Sequence, residues 1–170
     1  MMRYTYFLFF EIFLLSFSAF SQTVENWKLT SEQKEFELKI YLREIKDSPI
    51  KEVKSIAVIN GAPRSVFHVV TDYPHLTEYM PYLKENRVLK SLDHHYVIYQ
   101  YLDFPLVDDR DYVIDVEHII NEKDNVYGTR WQSNHNQGPK ELDGVIRLKV
   151  NRGSWELHPF ENGRKTHAVY

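Results

Sequence analysis

From Asn86 to the last residue, almost every segment of the sequence has the pattern of a β-strand. Short runs of alternating, β-branched or aromatic residues are separated by turn-forming residues, as is typical of antiparallel strands. Asn162-Gly163 and Asp93-His94 both predict tight hairpin turns. The second half of the chain is therefore predicted to be a long antiparallel meander. Its strands are predicted at residues 87–92, 95–102, 110–120, 126–133, 145–150, 154–160 and 166–170.

The segment before Asn86 predicts two more strands and several short helices. Residues 24–30 are interpreted as one or two helical turns. Apolar and polar residues alternate over residues 36–43, and residues 53–59 are a second apolar run, so each predicts a strand. Pro63 is tolerated in the first turn of a helix, and the stripe that follows predicts a helix over residues 63–71. Residues 75–80 predict a second short helix.

These elements together predict one α+β domain with helices on one face of a curved antiparallel sheet. A chain of 170 residues is long enough for a single sizeable core. The absence of cysteine excludes disulfide scaffolds, zinc fingers and thiol catalysis. The formal net charge of -3 lacks the basic excess of a nucleic-acid-binding domain, so no nucleic-acid partner is predicted.

The first 21 residues predict a secretory signal peptide. Met1-Met2-Arg3 supplies a positive start, and residues 4–20 are almost entirely apolar and aromatic. Ala19 and Ser21 are the small residues that a cleavage site before Gln22 requires. Glu11 within the apolar run is unfavourable for this interpretation, and an uncleaved anchor is the alternative. We expect residues 22–170 to be exported as one domain, either periplasmic or secreted.

Strand alternation predicts which side chains face the interior. On the strand from Arg110, the set that contains Tyr112 and Val116 is apolar, whereas the opposite set contains acidic residues, so the first set must face inward. The resulting surface either packs tightly on the helices or encloses an apolar pocket. The residues predicted to line it are Tyr112, Ile114, Val116, His118, Ile120, Tyr127, Thr129, Trp131, Ile146, Leu148, Val150, Trp155 and Leu157.

Several segments, in this order and spacing, resemble StAR-related lipid-transfer (START) domains between Trp27 and Tyr170. Pro105 followed by Arg110-Asp111-Tyr112-Val113 is similar to the most recognisable short motif of that family. The other similar segments are residues 38–43, 48–54, 66–72, 79–81, 144–146, 155–159 and 166–170.

The resemblance implies a helix-grip fold, in which a curved antiparallel sheet holds a long C-terminal helix and a lipid tunnel lies between them. The sequence ends where that helix would begin, so we expect a C-terminally truncated START-like domain. Some sterol-carrying members place a carboxylate and an arginine on facing inner strands, and those positions correspond to Val97 and Val116 here. An acyl-chain ligand is therefore favoured over a sterol.

The sequence contains no nucleophile motif, phosphate-binding loop or metal-ligand spacing, so no catalytic residue, metal site or cofactor is predicted. His118 lies among apolar residues and is interpreted as a hydrogen-bonded core histidine, with contact to a ligand headgroup as the alternative. Arg110 is expected to pair with a carboxylate or to meet a headgroup. The acidic residues around Asp108 are interpreted as a solvated loop, in preference to a calcium site.

The predicted function is binding of a lipid in an apolar cavity, extending to lipid transfer, with transient contact to a membrane surface. The first alternative is a small helix-grip enzyme, such as a cyclase of polyketides or aromatic compounds, in which His118 and Tyr99 or Tyr101 would converge. The second is an exported interaction domain without a ligand. The predicted ligand-binding residues are Leu76, Met80, Val97, Tyr99, Tyr101, Arg110, Tyr112, Ile114, Val116, His118, Trp131 and Leu148.

Overall fold

The computed structural model describes residues 26–170, so the predicted signal peptide lies outside the described residues. Within this range, ten strands form one sheet. They are β1 (Lys28–Gln33), β2 (Leu38–Glu44), β3 (Lys51–Ile59), β4 (Leu83–Leu92), β5 (His95–Leu102), β6 (Asp109–Asn121), β7 (Val126–Ser133), β8 (Val145–Arg147), β9 (Arg152–Phe160) and β10 (Lys165–Val169).

The strand order is β1-β2-β3-β10-β9-β7-β6-β5-β4, and every neighbouring pair on this path is antiparallel. The short β8 lies off the path and pairs in parallel with the first residues of β6. The last strand, β10, thus lies between β3 and β9 and connects the N-terminal strands β1 to β3 with the rest of the sheet. This confirms the predicted antiparallel α+β architecture.

Helical structure in the described residues is confined to short segments between β3 and β4 and to isolated 3-10 turns. Helix α1 (Pro63–Val70) begins with proline at its first position, and its Val66 and Phe67 are buried against the sheet. The Thr71 hydroxyl donates to the Phe67 carbonyl oxygen at its C-terminus (2.7 Å). A 3-10 turn (Tyr73–His75) leads into the four-residue α2 (Leu76–Tyr79). None of these helices has the length and hydrophobicity needed to cross a membrane.

The predicted helical turns at residues 24–30 are wrong for the described part of that segment. Residues from Lys28 onward form β1, which pairs with β2 through an irregular register at Thr30. A strand is favoured because the exposed edge of β2 supplies backbone hydrogen bonds that an isolated helical turn could not replace. Phe36, predicted in the following strand, instead lies in a 3-10 turn and is exposed.

The sheet has two faces, which we call inner and outer. The inner face is the one covered in part by α1, Tyr73 and Leu76, and the outer face is the opposite one. Two buried clusters lie on the inner face, one around Ile114 and one around Leu157. A third cluster, of Val97, Tyr99 and Val113, lies on the outer face. The central strands are therefore buried on both faces.

Candidate functional site

Half of the predicted ligand-binding residues lie together on the inner face. They form or contact one buried cluster, in which Tyr73 and Leu83 also take part. Their common direction follows from the pairing of β6 with β7, where Val116 lies opposite Trp131. Their role in ligand binding remains a prediction. The six residues are Leu76, Tyr112, Ile114, Val116, Trp131 and Leu148.

Val97, Tyr99 and Tyr101 were predicted to share this cavity, and the structure places them on the opposite face. The register of β5 and β6 pairs Tyr96 with Val116 and Gln100 with Tyr112. Since directly paired residues of antiparallel strands point to the same side, the even-numbered residues of β5 face inward. The prediction was wrong because β5 is apolar on both sides, so its pattern does not reveal which side faces the helices. The suggested sterol-type position at Val97 is on the outer face for the same reason.

His118 is a hydrogen-bonded core histidine, as the sequence favoured. Its Nε2 lies 2.6 Å from the Tyr73 hydroxyl oxygen. The rings of Phe67 and Tyr96 lie 5.1 and 4.5 Å away between centroids. Burial in this aromatic surrounding lowers the pKa of His118 to about 4, and His94 contributes to the decrease. The imidazole is therefore neutral at pH 7 and closes the α1 end of the inner face.

A chain of uncharged polar groups crosses the inner face, and the sequence analysis missed it. The Tyr112 hydroxyl donates to Gln100 Oε1, and Gln100 Nε2 donates to Asn86 Oδ1 (2.8 Å). Asn86 Nδ2 in turn donates to the backbone oxygen of Tyr73. Burial raises the pKa of Tyr112 to about 12. The even spacing of Asn86, Gln100 and Tyr112 within otherwise apolar strands was the available signal, but it required the correct face of β5.

Asn151 extends these polar groups toward the uncovered part of the inner face. Its Oδ1 accepts a hydrogen bond from Trp131 Nε1 (2.9 Å), and its backbone N–H donates to Ser133 Oγ (2.6 Å). The side chain also lies beside Tyr112, where it opposes the rise of that pKa. Asn151 lies between β8 and β9, so no strand pattern in the sequence identified its direction.

Three aromatic rings form the uncovered part of the inner face, which we call the aromatic surface. Tyr170 lies 4.9 Å from Trp155 and 5.6 Å from Trp131 between ring centroids. Trp131 lies flat against Gly153, where an added Cβ would come within 2.4 Å of the indole. The aromatic surface continues to Val53 on β3, which is 52% exposed. An extended apolar surface thus remains accessible beside the buried cluster.

A large open groove with a volume of about 1580 Å³ runs along this region. Tyr96, Val116, Trp131, Asn151 and Tyr170 line it, so it reaches the aromatic surface and the edge of the buried cluster. Many of its lining residues belong to the outer register, among them Val97 and the charged Asp115, Glu117 and Arg130, and the groove is open to solvent. The arrangement differs from the enclosed cavity that the sequence predicted.

The two remaining predicted site residues, Arg110 and Met80, lie away from the groove. The Arg110 guanidinium donates to the Asp108 backbone oxygen (2.8 Å) and lies over the Phe104 ring, with Cζ 5.4 Å from the ring centroid. It contacts a backbone carbonyl and an aromatic ring, where the sequence predicted a carboxylate or a headgroup. Met80 follows α2 and is 39% exposed.

The acidic residues near Arg110 serve different partners. Asp109 accepts from the Tyr101 hydroxyl, and Asp103 pairs with Lys84. Asp111 is buried on the outer face in a two-bonded ion pair with Arg147, whose Nε and Nη2 lie 2.6 and 2.8 Å from the carboxylate oxygens. Among residues 26–170 no group of three or more acidic or histidine side chains has an arrangement that could hold a metal ion.

Solved structures with the same architecture identify the fold. A crystal structure of a StAR-related lipid transfer protein (fragment 25-204) from Xanthomonas axonopodis has a TM-score of 0.74 at 23% identity, and the match covers 85% of this chain and 78% of that one. The chain has the START-like helix-grip fold. Human StAR-related lipid transfer protein 5 matches with a TM-score of 0.74 at 18% identity, over 88% of this chain and 71% of that one.

A third START-like match is the lipid transfer and protein localization domain of human StarD13, with a TM-score of 0.70 at 16% identity over 85% of this chain and 72% of that one. No protein-family model and no curated protein matches the sequence. At these identities the likeness establishes the START-like fold alone, and the function has to be argued from the site.

Proposed function

We propose that this protein binds a lipid through the inner face of its START-like sheet. The observation that carries the proposal is the accessible aromatic surface, which continues directly into a buried apolar cluster. Tyr170 is 45% exposed and Val53 52% exposed, although both face the side that the helices cover elsewhere. Exposed apolar surfaces of this kind mark sites where an apolar partner binds.

The energetics favour an apolar chain as that partner. Burial of one methylene group contributes about 0.8 kcal/mol, so a chain of roughly sixteen carbons offers on the order of 12 kcal/mol before the losses of association. The groove along the aromatic surface provides the space, and no catalytic group is needed for such binding. The lipid-transfer names of the matching structures agree with this class of ligand.

The residues suggested for the alternative function, a small cyclase, do not converge in the structure. That function required His118 to converge with Tyr99 or Tyr101, and both tyrosines lie on the outer face. His118 itself hydrogen-bonds Tyr73 within a ring of aromatic side chains.

The proposal includes export and contact with a membrane surface. Export rests on the sequence of residues 1–21. Membrane contact rests on the loop between β5 and β6, where Leu106 is fully exposed and Val107 is 54% exposed. Apolar side chains at a loop tip can enter the headgroup region while the ligand passes between the membrane and the protein.

A charge placed on the aromatic surface tests the ligand site. Val53→Arg should remove binding of a neutral hydrophobic dye and of any lipid that co-purifies, because an unpaired guanidinium would have to be desolvated. Val53 is already exposed, so the variant should fold. Ile119→Arg is the matched control, since Ile119 is on the outer side of β6 and 37% exposed. Native mass spectrometry of the purified proteins measures the bound lipid. Retention of lipid by the Val53→Arg variant would contradict the proposed site.

A further inference from the structure

The polar groups of the inner face are uncharged and firmly positioned. Asn151 is held at three points, because Trp131 donates to its side-chain oxygen, its backbone N–H donates to Ser133 Oγ, and the Ser133 hydroxyl lies 3.1 Å from its backbone oxygen. Its side chain lines the groove beside Val116 and Tyr170. A polar group fixed in this way at the wall of an apolar groove can orient a ligand.

Asn151 keeps hydrogen-bonding capacity for a ligand. A primary amide provides two N–H donors and an oxygen with two lone pairs. Trp131 uses one lone pair and the Tyr112 hydroxyl oxygen accepts from one N–H, so one N–H and one lone pair remain. Tyr112, which lies beside Asn151, is already engaged with Gln100, and Gln100 with Asn86. Tyr112 and Gln100 are buried, whereas Asn151 lines the open groove.

The surroundings of Asn151 would not stabilise a charged headgroup. The inward residues between Tyr112 and His118 on β6, with their partners on β5, β7 and β9, are apolar, aromatic or uncharged polar residues, and His118 is their only ionisable side chain apart from tyrosine. The arginines and lysines elsewhere along the groove are Arg43, Lys51, Lys54, Lys90, Arg130 and Arg152. Arg43 and Arg152 pair with Glu52, and Lys51 pairs with Glu44. Lys54, Lys90 and Arg130 belong to the outer register of their strands. An ionised carboxylate or phosphate next to Asn151 would lose its hydration without gaining a cation.

We infer that Asn151 is a specificity-determining residue that hydrogen-bonds an uncharged polar end of the ligand, such as an ester, amide or hydroxyl group, and thereby selects neutral lipids over fatty-acid anions. The inference rests on the proposed lipid binding and adds the class of ligand. An ionised carboxylate keeps its hydration only at the solvent-exposed side of the groove, out of reach of Asn151, so the anion gains nothing from the amide, whereas a neutral polar group can be desolvated beside it.

Competition between two lipids of equal chain length tests this inference. The neutral dye N-phenyl-1-naphthylamine is bound to the purified protein at pH 8 and displaced with monolauroylglycerol or with ionised laurate. Monolauroylglycerol should displace the dye at a concentration about tenfold lower than laurate. Asn151→Leu should weaken the binding of monolauroylglycerol about tenfold and leave the binding of laurate unchanged. Asn136→Leu is the matched control, since Asn136 is exposed and outside the groove, and it should change neither value.

The isosteric Asn151→Asp variant guards against a loss of folding in the leucine variant. It retains an oxygen that accepts a hydrogen bond from Trp131. Its carboxylate repels the carboxylate of laurate, so the binding of laurate should be weakened more than that of monolauroylglycerol. Equal displacement by the two lipids, or an unchanged ratio in both Asn151 variants, would overturn the inference while leaving lipid binding intact. A protein that binds neither the dye nor either lipid would instead overturn the proposed function.

Discussion

On its outer face, β6 carries Asp111 in a buried ion pair with Arg147, whereas on its inner face the same strand carries Tyr112, Ile114 and Val116. The charged pair is fully enclosed, since both side chains are less than 5% exposed. It is covered by residues 134–139, whose Pro139 oxygen accepts from the guanidinium at 3.3 Å. The inner face is instead only partly covered and contains neutral polar groups.

The difference between the faces indicates that they have different tasks. A buried ion pair is stable only when its geometry is nearly complete, so it fixes β8 and the preceding loop to β6. The inner face has no such requirement and leaves an apolar surface accessible. The same strand thus holds the structure together on one side and offers a binding surface on the other.

Breaking the ion pair between Asp111 and Arg147 should have the largest effect on stability. Arg147→Met leaves Asp111 buried without its cation, and we expect a loss of about 3–5 kcal/mol in the free energy of unfolding. Urea unfolding measures it. Arg152→Met is the control, because the Arg152 side chain is 67% exposed, and its effect should stay within about 0.5 kcal/mol. A loss below about 1 kcal/mol for Arg147→Met would show that the outer face does not depend on the pair.

A methyl group beneath Trp131 tests the inner face in a similar way. Gly153→Ala should destabilise the protein by about 1–3 kcal/mol, because the new Cβ would overlap the indole, and the displaced ring would lose its hydrogen bond to Asn151. The midpoint temperature of thermal unfolding and the affinity for the dye should both decrease. Gly61→Ala provides the comparison, since its nearest atom, on Val66, would be 3.5 Å from the added Cβ. Equal stability of the two variants would mean that Trp131 can move without cost.

The stability of the protein should depend on pH through His118, at the α1 end of the inner face. This histidine has a pKa of about 4 in the folded protein and about 6.5 when unfolded. The unfolded chain therefore binds more protons between these values, and stability should fall as pH decreases from about 6.5 to 4. We expect a loss of roughly 2 kcal/mol after allowance for solvent screening.

Substitution of His118 isolates its share of this pH dependence. His118→Gln should flatten the pH profile of urea unfolding between pH 6.5 and 4, whereas His95→Gln, at an exposed hairpin position, should not. Identical profiles for the wild type and His118→Gln would attribute the acid sensitivity to other groups.

Much of the architecture could be predicted from the sequence because it depends on local patterns. The alternation on β6 identified its inward residues. The hairpin signals located the turn before β5 and the turn after β9. The segment at residues 145–150 formed a shorter strand, Val145–Arg147, because only the first residues of β6 were available for pairing with it.

The candidate site was less predictable because it depends on pairing between distant segments. A one-residue difference in the register of β5 exchanges Tyr99 for Gln100 on the inner face, and no local pattern distinguishes the two when both sides are buried. The partnership of Asp111 with Arg147 spans 36 residues and has no sequence signal either. Asn151 lies outside any strand, so alternation gave it no direction.

Removing one hydroxyl from each face of the β5–β6 pair should have the smallest effect and compare the faces most directly. On the outer face the Tyr99 hydroxyl donates to Asp111 (3.1 Å), and on the inner face the Tyr112 hydroxyl donates to Gln100. Each tyrosine-to-phenylalanine substitution removes one hydrogen bond and should cost about 1 kcal/mol in the free energy of unfolding. Only Tyr112→Phe should also change lipid binding, because its hydroxyl lies beside Asn151 and helps to orient that amide. Urea unfolding together with displacement of a bound dye by a neutral lipid separates the two effects. Altered displacement in Tyr99→Phe, or none in Tyr112→Phe at equal stability, would show that the division of tasks between the two faces is wrong.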